Sequence, residues 1–364
     1  MLYQLQANRA GDESSQEDNS KSIFWPDTKQ LLEKGAVTPL VSNFALYNLF
    51  GDPAIIAQTW ANAVKSPLAE EHNRDLARVA QYYSVDKSNR EAKRHYLDSL
   101  KDYLMSGAEL DSNTDKHLLE KLKPNYRGYT FSELADRLGY PRYENIQQNP
   151  FRLLAELPLS VYLTTSHHNF LEVALSRNSR KAQPVSEIYQ WREGLEHIPS
   201  IFENEPEYEP SLKRPLVYHW YGLDSYPESL VLTEDDYFDF LVNITHAASE
   251  VRTSVRADSS HKLPQRQIPS AVINAFSTRL IMIGYETYSW EFRVLLKGLI
   301  QPKSRNWLEK GFSMQVEPAA QPQQADRYRR IKEYLIKYFN QSNFNIYWGL
   351  PQQCALDLWM ELYG

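Results

Sequence analysis

Short apolar runs alternate with stretches of helical spacing along most of the chain. GAVTPLVS (Gly35 to Ser42) reads as a first buried strand. From Ala45 to about Phe151 the spacing is helical: Leu97, Leu100 and Leu104 share a face, with Tyr96 and Tyr103 alongside. TFSE (Thr130 to Glu133) forms a capping box, in which hydroxyl and carboxylate satisfy reciprocal orphan donors, and Gly139 and Pro141 end that helix. Strands and helices then alternate. LSVYLTT (Leu159 to Thr165) precedes a helix on Phe170, Leu171 and Ala174; SEIYQW, PLVYHW and LVL follow as strand candidates. Thr233 caps a helix on Tyr237, Phe240, Leu241 and Ile244. RLIMIG, FSMQV and NFNIYW are further strands, spaced by helices on Phe292 to Leu299 and on Ile331, Tyr334, Leu335 and Tyr338. A last helix carries Ala355, Leu358, Trp359 and Leu362. Repeated strand–helix order predicts an α/β fold: a parallel sheet flanked by helices, with a helical insertion (45–151) after the first strand.

NRAGDESSQEDNSK (Asn8 to Lys21) has almost no apolar residue, so residues 1–22 are expected to be a disordered tail and 23–364 the folded domain. ENEPEYEP, RADSSHKLPQRQIP and EPAAQPQQADR read as surface loops. Composition narrows the function classes. A net charge of -6 gives no global footprint for nucleic acid or an anionic membrane. The lone Cys354 excludes an intramolecular disulfide and a multi-cysteine zinc site. No apolar run is long enough to cross a bilayer and no leader pattern precedes the domain, so the expected location is cytoplasmic. Tyrosine, at 24 copies, suits cores and interfaces alike.

Candidate chemistry gathers where strands end, because ligands of open α/β sheets bind there. In VYHWYGLDSYPESLVLTEDDYFDFL (Val217 to Leu241), strand alternation puts Val217, His219 and Tyr221 on one face. His167 and His168 lie at a helix start, where a neutral imidazole could bind or activate water. Glu234, Asp235 and Asp236 have the look of a metal cluster, yet a first helical turn accounts for them through the helix dipole. The basic RYRRIKEYLIK reads as a solvated helix face, and QPKSRNWLEK as a candidate nucleic-acid contact loop.

Four segments, GAVTPLVSNFA, LPLSVYLTTSHHNFLEVAL, RPLVYHWYGLDSYPESLVLTEDDYFDFL and LIMIGYETYSWEFRVLLKGL, together resemble the sirtuin-like family in its zinc-free prokaryotic branch, associated with anti-phage and other conflict systems. The resemblance implies a Rossmann-like six-stranded sheet that binds NAD at the strands' carboxyl ends and cleaves the nicotinamide–ribose bond with an asparagine and a histidine. The chain departs from that pattern at the chemistry. The family's Gly-Ala-Gly-x-Ser loop falls on Ser42, Asn43, Phe44, Ala45 and Leu46, so a ring stands where bare backbone would meet pyrophosphate. Its Thr-x-Asn-x-Asp motif falls on Thr164 to His168, with Thr165 a candidate lining residue, Ser166 in place of the asparagine and His168 in place of the aspartate. Its His-x-His-Gly falls on His219 to Gly222, with Tyr221 in place of the base; a phenol, with pKa about 10, is a poor general base. Gly284, Tyr285, Glu286 and Trp290 would edge the adenine site.

The resulting expectation is a sirtuin-like conflict protein that has lost NAD cleavage and acts as a nucleotide-sensing or scaffolding subunit, binding NAD or a related nucleotide weakly and no zinc or other metal. Expected partners are further copies of the chain or a defence-complex protein, with nucleic acid reached only through a complex and no membrane contact. Two alternatives stand beside it. One is an NAD hydrolase in which His168 or His219 substitutes as base. The other is a partner subunit of a nucleic-acid-guided complex, since family members occur beside Argonaute-type and ATPase proteins.

Overall fold

A computed structural model describes residues 27–42, 45, 53–141, 149–253, 268–286, 289–300, 312–316, 329–330, 333–335, 337 and 344–364. The tail 1–22, Asn43, Phe44, Leu46, the QPKSRNWLEK loop, EPAAQPQQADR, most of RADSSHKLPQRQIP, and Ile331 and Tyr338 lie outside the described residues.

The strands are β1 (Val37–Val41), β2 (Val161–Thr164), β3 (Val185–Ile188), β4 (Leu216–His219), β5 (Arg279–Ile283), β6 (Phe312–Val316) and β7 (Phe344–Trp348). They form one sheet in the order β3-β4-β2-β1-β5-β6-β7, and each pairing is parallel. The expected Rossmann-like α/β architecture is therefore present, with seven strands rather than six. The strand order reverses at β1, which has β2 on one side and β5 on the other. Pro39 brings no N–H to the ladder; β1 pairs with β5 along its whole length but with β2 only from Leu40 onward.

The helices preceding β2 are α1 (Thr28–Glu33), α2 (Pro53–Ala63), α3 (Leu76–Asp86), α4 (Asn89–Leu110), α5 (Lys116–Leu122), α6 (Phe131–Arg137) and α7 (Pro150–Glu156). Those of the sheet's crossovers are α8 (Phe170–Ser176), α9 (Ile201–Asn204), α10 (Glu234–Thr253), α11 (Ser270–Phe276) and α12 (Trp290–Leu295), and α13 (Pro351–Tyr363) follows β7. Helices α2 to α7 form the expected insertion between β1 and β2, and Thr130 and Glu133 close the expected capping box at α6.

Alternation along the strands divides the core. Leu280 and Met282 of β5 pack with α10, α11 and α12 on one face, whereas Ile281 and Ile283 pack with α6, α7, α8 and α13 on the other. Burial on both faces explains why these strands read as nearly continuous apolar runs. A third cluster joins Trp60, Val79, Tyr96 and Leu97 of the insertion to Leu230 and Leu232. That contact corrects the expected LVL strand. Leu230 to Leu232 is no strand; it is a buried connector whose two leucines face the insertion and whose Val231 faces the sheet. Its alternation is genuine, but it comes from lying between two cores rather than from pairing with a neighbour.

The acidic turn Glu234, Asp235 and Asp236 at the start of α10 also faces the insertion. Glu234 meets Arg78 at 3.4 Å, Asp235 accepts from Gln81 at 2.7 Å, and Asp236 meets Lys93 at 3.1 Å. Thr233 and Asp236 additionally exchange side-chain-to-backbone bonds at the helix start. These carboxylates lock two layers together. Among the described residues no three His, Cys, Asp or Glu side chains converge as a metal site.

Candidate functional site

The site is built where β1, β2, β4 and β5 end. Ser42 follows β1, and its backbone N–H donates to Ile283 at 2.9 Å, extending the ladder by one residue. Thr165 continues β2 in the same way, donating to the carbonyl of Val41 at 3.0 Å. Beyond β5, Gly284 turns the chain with φ +83, and a Cβ there would sit 2.8 Å from the backbone of Ala45, so only glycine permits the approach of the β1 and β5 loops. Ser289 then caps α12 through Phe292 N–H at 3.2 Å, which turns Glu291 inward while Trp290 packs edge-on against Phe238.

Glu291 is the centre of the constellation. Its carboxylate accepts from Ser42 Oγ at 2.8 Å through one oxygen and from the Thr165 hydroxyl through the other. Thr165 Oγ1 also lies 3.1 Å from the Tyr285 hydroxyl. Tyr221 donates to the backbone carbonyl of Glu291 at 2.9 Å. Ser42, Thr165, Ser166, Tyr221, Tyr285 and Glu291 are all buried, Glu291 at 3 % exposure. Burial, and behind it the neighbouring Tyr237 and Glu291, pushes the Tyr221 phenol well above its usual range. Tyr221 is a hydrogen-bond donor here.

Its orientation also differs from expectation. Val217 belongs to the insertion-side core, whereas Tyr221 packs edge-on against Tyr237 and Phe240 on the opposite side, together with Trp220. Strand alternation ends at His219, and the turn to Gly222 (φ +83) resets the side-chain directions. A Cβ on Gly222 would lie 2.4 Å from the Ser229 backbone, so this turn requires glycine.

The histidines fall into two groups. His219 is fully buried; its Nε2 meets Glu172 Oε1 at 2.6 Å and its Nδ1 meets the Ser166 carbonyl at 2.9 Å. Burial opposes the imidazolium, but Glu172, the Ser166 carbonyl and Asp224 together outweigh it, and the His219 pKa ends above the ordinary value. His168 stacks on Phe170 at 3.9 Å between Phe131 and Phe151, and burial drives its pKa well below the usual one. His167 meets Tyr96 edge-on, and burial lowers its pKa to about 3. Thus Ser42, Thr165, Ser166, Tyr221, Gly284 and Tyr285 come together, His219 joins them through the Ser166 backbone, and His168 turns away into a phenylalanine cage. Glu286 is exposed, and Trp290 lies half-buried at the rim.

Glu291, Glu172 and Asp224 were missed from sequence. Glu291 and Glu172 each sit in the first turn of a helix that follows a strand. A carboxylate one turn past a strand's end is the signal that could have found both.

An open parallel sheet whose polar residues collect at the strands' carboxyl ends, around a reversal of strand order, defines a Rossmann-like protein. The comparison with known families agrees: residues 160–339, just under half of the chain, match the family model described as SIR2-like domain. The chain thus resembles sirtuin-like, NAD-related proteins from β2 through β6, with β1 and the insertion outside the match. Compared with curated proteins, the chain finds no match. Among the described residues no helix is long and apolar enough to cross a membrane.

Among the described residues, the hydroxyls that border the crevice are already engaged within the protein in this arrangement. A pyrophosphate offers only acceptor oxygens, and the Ser42 and Thr165 hydroxyls that could donate to it already donate to Glu291.

Proposed function

We propose that this chain is a sirtuin-like protein of a prokaryotic conflict or anti-phage system that has lost NAD cleavage and works as a nucleotide-sensing or scaffolding subunit. The observation that carries the reading is Tyr221: the residue standing where the family has its histidine is a buried phenol that donates to the Glu291 carbonyl. A proton acceptor is needed to activate water or the ribose hydroxyl, and a phenol held protonated by burial supplies none. His219 does not take over, since both its nitrogens are engaged by Glu172 and Ser166. His168 does not either, since its ring is stacked among phenylalanines. A scaffolding role draws support from α10, whose Phe238 and Val242 are about half exposed at 51% and 53%.

The test is nicotinamide release from NAD by the purified chain, alone and with its neighbouring gene products. The expected result is no release above the uncatalysed rate. Multiple turnovers by the unmodified chain alone, abolished in His219→Ala or His168→Ala, would instead establish an NAD hydrolase.

A further inference from the structure

In open α/β sheets the ligand crevice opens where the strand order reverses, here between the segments that follow β1 and β5. Side chains of the protein itself bridge that crevice. Glu291, from the helix after β5, bonds Ser42 just beyond β1 at 2.8 Å and Thr165 just beyond β2. Behind it, the Gly284 turn lies against the Ala45 backbone. Tyr221 fixes the Glu291 main chain from β4, and Tyr285 meets Thr165 from β5. Residues at four strand ends thus gather around Glu291, and two of them, Ser42 and Thr165, bond its carboxylate directly.

We propose that Glu291 is an internal plug that excludes phosphate-bearing nucleotides from the crevice. A carboxylate and a phosphate are both acceptor-only anions. Glu291 therefore takes the same hydroxyl donors that a nucleotide phosphate would use, and its charge repels the phosphate as it approaches. A buried carboxylate is an expensive way to fill space, since a neutral side chain of the same shape avoids the desolvation penalty. Excluding an anion is a task that the charge performs and a neutral filler does not. A diphosphate nucleotide enters only when the start of α12 draws Glu291 back from Ser42 and Thr165.

This inference rests on reading the chain as one that no longer cleaves NAD, and the experiment separates the two. ADP-ribose is titrated calorimetrically into the full chain and into Glu291→Ala and Glu291→Gln, with nicotinamide release from NAD followed in parallel. Glu291→Ala, which removes charge and bulk, is expected to bind at least about tenfold more tightly than the parent. Glu291→Gln removes the charge and keeps the size, so it gains a smaller part of that increase. The near-isosteric Gln variant also guards against a folding failure of the Ala variant. A folded variant of either kind that stays at the parent's affinity overturns the plug, as does tight ADP-ribose binding by the parent. Nicotinamide release by the parent overturns the loss of cleavage; absent release with unchanged affinities overturns the plug alone.

Discussion

Asp224, 4 % exposed, points its carboxylate at the start of α6 and accepts from Ser132 N–H at 2.6 Å. Burial raises its pKa from 3.8 to about 6, against the lowering effect of the Ser132 bonds and His219. A carboxyl whose folded-state pKa lies above its unfolded value binds protons more tightly when folded. Its contribution to stability is therefore fully present below about pH 4 and is lost as pH rises through about 6. His219 acts in the same direction over a later window, since its raised pKa means a contribution present below 6.5 and lost above the folded value. Asp224→Asn keeps an acceptor for Ser132 and removes the buried charge. It should stabilise the protein by about 1–3 kcal/mol at pH 7, an advantage that shrinks as pH falls through 6 toward 4. Urea unfolding at both ends of that range checks it; a constant offset between variant and parent would mean that the carboxyl titrates alike in both states. Tyr221→Phe isolates another single bond, to the Glu291 carbonyl. Its loss should lower stability by about 1 kcal/mol, read from the same unfolding curves; on the proposed reading the variant, like the parent, releases no nicotinamide.

Lys93 and Asp236 belong to α4 and α10, and their pairing joins the helical insertion to the sheet's own layer. Both side chains are buried, at 0% and 3% exposure. Asp236 also accepts from Leu232 and Thr233 N–H and from Asn89, while burial draws the Lys93 pKa down to about 8 against the pull of Asp236. Removing one partner strands the other charge in a dry site, so Lys93→Met should destabilise by about 3–5 kcal/mol. The double variant Lys93→Met/Asp236→Asn should lose less than the sum of the two single losses; simple additivity in a double-mutant cycle would show the pair uncoupled. At this scale the chain was largely legible. Period-two and period-3.6 patterns located the strands and the insertion, and TFSE marked the start of α6. The acidic turn at Glu234 was legible only as a helix start. Its partners Arg78, Gln81 and Lys93 lie more than a hundred residues earlier, and no local period connects them. The LVL segment misled for a related reason: burial between two cores imitates the alternation of a paired strand.

For the molecule as a whole, the fold followed from patterns repeated many times, whereas the site depends on single contacts across the chain. Ser42 and Glu291 are 249 residues apart, so their bond became visible only once the sheet set β1 beside β5. That same dispersal governs what mutation can restore. An active centre that works as a unit loses nearly everything with one member, and returning one member to a centre missing several restores little. Two departures from the family's signature positions meet here, Tyr221 and Ser166, beside Glu291, which takes up the hydroxyls of Ser42 and Thr165. Tyr221→His alone should therefore release no nicotinamide above background. It should also be less stable than the parent by about 1–3 kcal/mol, because imidazole is smaller than the phenol that fills the space against Tyr237 and Phe240 and reaches the Glu291 carbonyl. Chromatography of the NAD reaction and urea unfolding of the same preparation read both outcomes. Turnover in Tyr221→His would mean that Ser166 and Glu291 are compatible with catalysis, and that Tyr221 alone accounts for the absence of cleavage proposed for the parent.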